Sequence, residues 1–274
     1  ETRSMRLVCS FALVVALTAG IGGKCDRNNA KTPCETLNLA LVERWVGMGG
    51  SMETDCGKSS SSPCGSLGAA LTMLSSPGLN ITIHVMEGNY IIQDNNTARL
   101  PENSTVAIVG AGRDKTSFVG NGSIAQVPWL SSERHGLGVN LTVMDLTVMD
   151  YRQKGGFGGA AIGIIHKDSY LTVLNCTFMH LSAAYGGAIN YVGFTSGSVI
   201  LKDCAFFDNS AYNDNVEQNS LGGGAVNLWS VDVLIDSCEF NSNYMFNAGL
   251  FAMAGGAILI GERSHPQPLW PLLV

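Results

Sequence analysis

The chain has 274 residues, of which only 14% are charged, with 33 glycines and a net charge of −6. An apolar content of 46% at such low charge excludes a disordered polymer, and the lack of any Lys/Arg cluster argues against a nucleic-acid partner. The length allows one large or two ordinary domains with a buried core.

At the N-terminus Arg6 precedes an apolar run from Leu7 to Ala19, followed by the small residues Ala19-Gly20-Ile21-Gly22-Gly23. This order of basic, apolar and small residues predicts a secretory signal peptide over residues 1–23, with Met5 as the start. The uncharged run is short for a membrane span. The expected location is therefore extracellular or at the cell surface, with no transmembrane span left after cleavage.

Residues 24–66 form a Cys-rich segment in which two similar phrases, CDRNNAKTPCETLNLAL and CGKSSSSPCGSLGAAL, carry Cys25, Cys34, Cys56 and Cys64. In an oxidising compartment the local pairs Cys25–Cys34 and Cys56–Cys64 are the simplest of three connectivities. Asn-x-Ser/Thr sequons at Asn80, Asn95, Asn103, Asn121, Asn140 and Asn175 fit a secreted glycoprotein.

A short amphipathic helix is expected in SLGAALTML, with Ser66 as its N-cap. The runs ITIHVMEGNYIIQ, STVAIVGAG and TSFVGNG then read as strands separated by tight turns. From residue 139 a repeat becomes explicit. Leu146, Cys176, Cys204 and Cys238 share one column at spacings of 30, 28 and 34 residues, and Val148, Phe178, Phe206 and Phe240 share the column two residues on. Each block is followed, after a variable interval, by Gly-Gly-Ala: Gly158-Gly159-Ala160, Gly186-Gly187-Ala188, Gly223-Gly224-Ala225 and Gly255-Gly256-Ala257.

Residues two apart on a strand share a face, so the two columns point the same way. Asp145, Asn175, Asp203 and Ser237, just before the first column, suit a sharp bend, and Asn209 and Asn243 suggest a second. Strand, bend, strand, bend, strand and loop make one coil of a right-handed parallel β-helix, an all-β solenoid, expected over residues 67–260 with the short helix capping its start. Stacked cysteines at strand spacing lie too far apart for disulfides, which predicts free core thiols with no redox or metal role.

The Gly-Gly-Ala-[Ile/Val] element, with Phe206 to Asn209 and Phe240 to Asn243 as Phe-x-x-Asn, resembles the repeat of the chlamydial polymorphic outer membrane proteins. More broadly the chain is similar to the pectin-lyase-like β-helix superfamily. PCGSLGAAL, ITIHVMEGNY and VAIVGAGRDKTSFVG resemble the opening coils of such helices. The first two repeats depart from the pattern, with Tyr151 and Leu181 in the Asn column.

The resemblance implies a test for polysaccharide chemistry. The Asn-Thr-Asp, Asp-Asp and Gly-His-Gly phrases of a polygalacturonase-like site are absent, His135-Gly136-Leu137-Gly138 lacking the preceding Gly. Gly88-Asn89-Tyr90 matches a methylesterase-like element, but Ile92 replaces its Glu. A lyase would need clustered carboxylates for Ca²⁺ and a basic residue. Asn175 separates Asp145 from Asp203, while Asp150, Asp208, Asp214 and Glu217 read as solvated corners and loops, and Arg152, Lys154 and Lys167 as surface charge. The expectation is accordingly a non-catalytic adhesion or recognition protein for extracellular carbohydrate or protein surfaces. It needs no cofactor, Ca²⁺ being the one cation to consider. The alternative is a lyase or hydrolase acting on acidic polysaccharide. Residues 261–274 form a Pro-rich tail, read as a cap or as the start of a truncated continuation.

Overall fold

The computed structural model describes residues 41–53, 55–72, 74, 76–92, 97–122, 124–125, 127–132, 138–154, 158–166, 168–193, 197–213, 221–229, 231–247 and 253–261. The expected signal peptide, Cys25, Cys34, Asn95 and residues 262–274 lie outside the described residues.

The chain winds as a parallel β-solenoid. Successive coils contribute one strand each to a seven-stranded sheet, two six-stranded sheets and a five-stranded sheet, and every registered pair is parallel. In the seven-stranded sheet the order runs Leu41–Ser51, Asn80–Val85, Thr105–Gly110, Asn140–Met144, Ser169–Leu174, Gly197–Lys202 and Asp232–Asp236. Strand pairing thus begins before residue 67, inside the segment read from its cysteines alone. Leu41–Ser51 pairs with Asn80–Val85, and the Trp45 ring stacks on His84 at 4.9 Å.

The helix spans Leu67–Thr72, with the Ala69 amide donating to Ser66 Oγ at 3.1 Å. Leu67, Ala70 and Leu71 are buried and join the core. Just upstream a disulfide links Cys56 to Cys64.

The core is a bundle of inward columns. Val148, Phe178, Phe206 and Phe240 are register partners on successive strands. The Phe178, Phe206 and Phe240 rings stack at 5.1 and 4.7 Å, geometry that adds to their area burial. Two residues earlier, Leu146, Cys176 and Cys204 carry the carbonyls that accept from the next coil's Thr177, Ala205 and Glu239 amides.

The thiols of Cys176, Cys204 and Cys238 are free. Cys176 and Cys204 donate to the carbonyls of Leu174 and Lys202 at 3.3 and 3.2 Å. Burial pushes the Cys204 thiol up to about 12 and Cys176 well above its ordinary range, each with a further push from a neighbouring cysteine. The thiols therefore stay neutral and act as small core groups.

Gly-Gly-Ala marks the closest approach between coils. A β-carbon on Gly187 would overlap the Gly224 carbonyl oxygen, and one on Gly224 would overlap that of Gly256. The same stretch carries the ladder, Gly187 N donating to Gly224 O at 3.0 Å and Gly224 N to Gly256 O at 2.8 Å. Only glycine lets the backbones approach this closely without displacement.

Candidate functional site

The second sheet, running from Gly88–Ile92 through Thr116–Gly120, Thr147–Met149, Thr177–Met179 and Ala205–Phe207 to Glu239–Asn241, is framed by two bends. Each bend is one residue in the left-handed region. Asp145, Asn175, Asp203 and Ser237 form the first column, at φ 58°, 49°, 53° and 53°. Asp150, His180, Asp208 and Ser242 form the second, at φ 55°, 52°, 50° and 54°. Short polar side chains tolerate this conformation better than most because they bond locally.

The second bend differs from the expectation. Asn209 and Asn243 follow the left-handed residue and turn inward, bracing the corner. Asn209 is fully buried. Its Oδ1 accepts from Leu181 N at 3.1 Å, and its Nδ2 donates to Phe178 O at 3.0 Å and Asn243 Oδ1 at 2.9 Å. Asn243 repeats the motif by donating to Phe206 O at 2.9 Å. In the first two repeats Tyr151 and Leu181 fill this column, the Tyr151 hydroxyl donating to Val127 O at 2.9 Å.

The left-handed residues also form polar ladders along the solenoid. Asn175 Nδ2 donates to Asp145 Oδ1 at 2.6 Å. His180 sits between two carboxylates, with Nδ1 2.9 Å from Asp150 and Nε2 3.8 Å from Asp208.

Between these ladders lies a shallow outer groove of 480 Å³. Because Val148, Phe178 and Phe206 point inward, the flanking residues of each three-residue strand point outward. One outward row holds Ser117, Thr147, Thr177, Ala205 and Glu239, and the other Val119, Met149, Met179, Phe207 and Asn241. Arg113 and Asp114 overhang one side, tied down by Thr147 Oγ1 donating to Arg113 O at 2.7 Å. Hydroxyls and apolar side chains thus run in parallel rows, repeating at the strand spacing of about 4.8 Å.

The rim is acidic. Asp114 and Glu239 line the groove against Arg113, and the bend columns on either side carry Asp145 and Asp203, and Asp150 and Asp208 with His180 between them. Lys202 is already opposite Asp236 at 3.6 Å. Among the described residues no group of three or more His, Cys, Asp or Glu side chains could hold a metal ion.

The remaining sequence candidates are dispersed. Tyr90 of Gly88-Asn89-Tyr90 donates to Met86 O at 2.9 Å and stacks on Phe118 at 5.2 Å, a structural assignment. Arg152 and Lys154 are exposed near the short strand Arg152–Gln153, while His135, Lys167, Asp214 and Glu217 lie outside the described residues. Of the sequons, Asn103 and Asn121 are exposed and Asn80 and Asn140 half-buried on the seven-stranded sheet. Asn175 is engaged in the first ladder.

One buried polar pair escaped the sequence reading. Asn227 Nδ2 donates to Asn190 Oδ1 at 2.7 Å, and Trp229 Nε1 to Asn227 Oδ1 at 2.9 Å. Its signal is the Asn two residues after the Ala of Gly-Gly-Ala, in Ala188-Ile189-Asn190 and Ala225-Val226-Asn227.

No protein-family model matches the chain, and no curated protein or solved structure is found to be similar to it.

Proposed function

We propose that this chain is a secreted or cell-surface glycoprotein that acts by adhesion or recognition, its outer groove taking an extended carbohydrate without a chemical step. The observation that carries the reading is the register of that groove. The part-exposed hydroxyls of Ser117 and Thr177 run in one row beside the apolar side chains of Met149, Met179 and Phe207 in the next, over successive coils. A linear glycan offers the matching pattern, with hydroxyls at its edges and apolar ring faces. We also assign the repeat to the kind seen in chlamydial polymorphic outer membrane proteins, within the pectin-lyase-like superfamily. The recurring Gly-Gly-Ala contacts and the Asn209–Asn243 corner support that assignment.

The acidic rim favours a neutral ligand, since a polyanion would meet like charge along both banks. The spacing of the two carboxylates in the groove's own lining, Asp114 and Glu239, favours binding over hydrolysis. Asp114 belongs to the loop held against Thr147, and Glu239 lies three strands further along the stack. At about 4.8 Å per strand that is roughly 14 Å, beyond the about 5–9.5 Å that separates paired glycosidase carboxyls.

The test is retention and turnover on a panel of neutral and acidic polysaccharides, with and without Ca²⁺. Retention on a neutral glycan that is lost in Thr177→Arg, without new chain ends, supports the proposal. New reducing or unsaturated ends would identify an enzyme, and binding confined to polyanions would overturn the ligand class.

A further inference from the structure

The seven-stranded sheet reaches one strand further than the six-stranded sheet beside it. Leu41–Ser51 pairs over Asn80–Val85, but past Val46 the chain turns to residues 63–65 instead of following the coil. There Ser51 N donates to Pro63 O at 3.0 Å and Gly65 N to Ser51 O at 2.7 Å. Gly88–Ile92 is therefore left as the edge strand of its sheet. Gly88 N donates to Lys115 O at 2.9 Å, so the alternation of a parallel ladder turns Tyr90 and Ile92 to the same neighbour, and Asn89 and Ile91 away from it. Among the described residues nothing bonds the N–H or C=O of Asn89 or Ile91, and the Ile91 side chain is 50% exposed. The strand carries none of the Lys, Pro or bulge devices that usually blunt such an edge.

A cavity of about 140 Å³ adjoins the same edge, lined by residues 89–92 together with Met48, Leu67, Phe118 and Trp129. None of its described lining residues is charged. Tyr90 extends the inward column of Phe118 and Val148, its ring 5.2 Å from Phe118, which in turn lies 4.4 Å from Trp129. The next place in that column, one strand spacing of about 4.8 Å beyond Tyr90, falls at the cavity.

We propose that Gly88–Ile92 is a docking edge for an extended peptide of a partner protein, which adds a strand to the sheet and sets one apolar side chain in the cavity, on Tyr90. The free donors and acceptors of Asn89 and Ile91 repeat every second residue, the spacing that an extended backbone matches. An apolar cavity of about 150 Å³ holds a benzene ring, so this one suits a single Leu, Met or Phe side chain. An ionised anchor would lose its hydration to uncharged walls. The inference is independent of what the outer groove binds.

The probe is an array of heptapeptides Lys-Thr-Val-X-Val-Thr-Lys, X being each amino acid in turn, presented to the full-length chain. The best member is then titrated by fluorescence polarisation. Leu, Met or Phe at X should bind, and Ser, Asp or Lys at X should bind about tenfold or more weakly. Ile91→Pro removes a free N–H and sets a ring in the path of the incoming strand, a change that an edge strand tolerates where that N–H faces outward. Met48→Trp puts a larger side chain into the cavity from an exposed position. Each variant should weaken binding about tenfold or more while keeping the wild-type melting temperature. N-methylation of alternate peptide amides gives a reading that needs no variant. One of the two alternating sets should abolish binding, and which one it is reports the strand direction. An array with no member bound, or binding that survives both N-methylated sets, would overturn the proposal. Toluene binding that is lost in Met48→Trp while peptide binding is unchanged would overturn it by giving the cavity to a small molecule. Self-association of the unaltered chain that disappears in Ile91→Pro would overturn it too, by assigning the edge to a second copy.

Discussion

Replacing Asn209 with Ala tests whether the inward corner holds the coils together. The wild-type side chain accepts from Leu181 N and donates to Phe178 O and Asn243 Oδ1, all at 2.9–3.1 Å and fully buried. Truncation orphans the Leu181 amide and leaves two acceptors short of a donor. Asn243 Oδ1 keeps its bond from Asn209 N at 3.1 Å. A buried unsatisfied group costs about 1–3 kcal/mol, so the variant should lose about 3 kcal/mol, within a range of roughly 2–5. Urea unfolding followed by far-UV circular dichroism measures this directly, provided the slope with denaturant is unchanged. Asn241→Ala, an exposed position in the same coil, is the control and should fall within about 0.5 kcal/mol of wild type. A loss below about 1 kcal/mol for Asn209→Ala would mean that the corner is re-satisfied without the amide, and the bracing argument would fail.

Phe206→Ala should destabilise by about 3–5 kcal/mol because the ring is fully buried between two others. Phe240→Ala should cost less, its ring being half-buried; equal losses in the same unfolding assay would contradict the stacking order. Burial raises the Cys204 thiol from 9.0 to about 12. Its contribution is therefore complete below about pH 9 and is lost as pH climbs toward 12, and Cys204→Ala should flatten the alkaline fall of the unfolding midpoint. An unchanged pH profile in that variant would refute the assignment. Gly187→Val should fail to accumulate as folded protein, since its β-carbon meets the Gly224 carbonyl; a wild-type melting temperature would show that the coils can separate. Expressed through a eukaryotic secretory pathway, Asn103 and Asn121 should carry glycans. Asn175 should not while its amide is bonded to Asp145, and glycopeptide mapping decides.

The solenoid itself was legible in the sequence because a stacked fold repeats its instructions. Cys-x-Phe recurred since each coil lays the same inward pair on its predecessor, and Gly-Gly-Ala recurred since only glycine lets coil backbones approach that closely. Other features were harder to read for physical reasons. Leu41–Ser51 lies in a segment read only as Cys-rich, and its strand identity comes from pairing with Asn80–Val85. The corner asparagines looked like bend residues because Asn suits bends, yet the bend falls one residue earlier and their side chains brace it from within. The groove had no motif at all. Thr147, Thr177, Met149 and Met179 are unremarkable in sequence and become one surface only when parallel pairing sets them side by side. Residue types and spacing thus determined the coil and its core, since those contacts repeat with the chain's own period. The outer groove and its flanking polar ladders were decided by register, a relation between coils that no single repeat encodes.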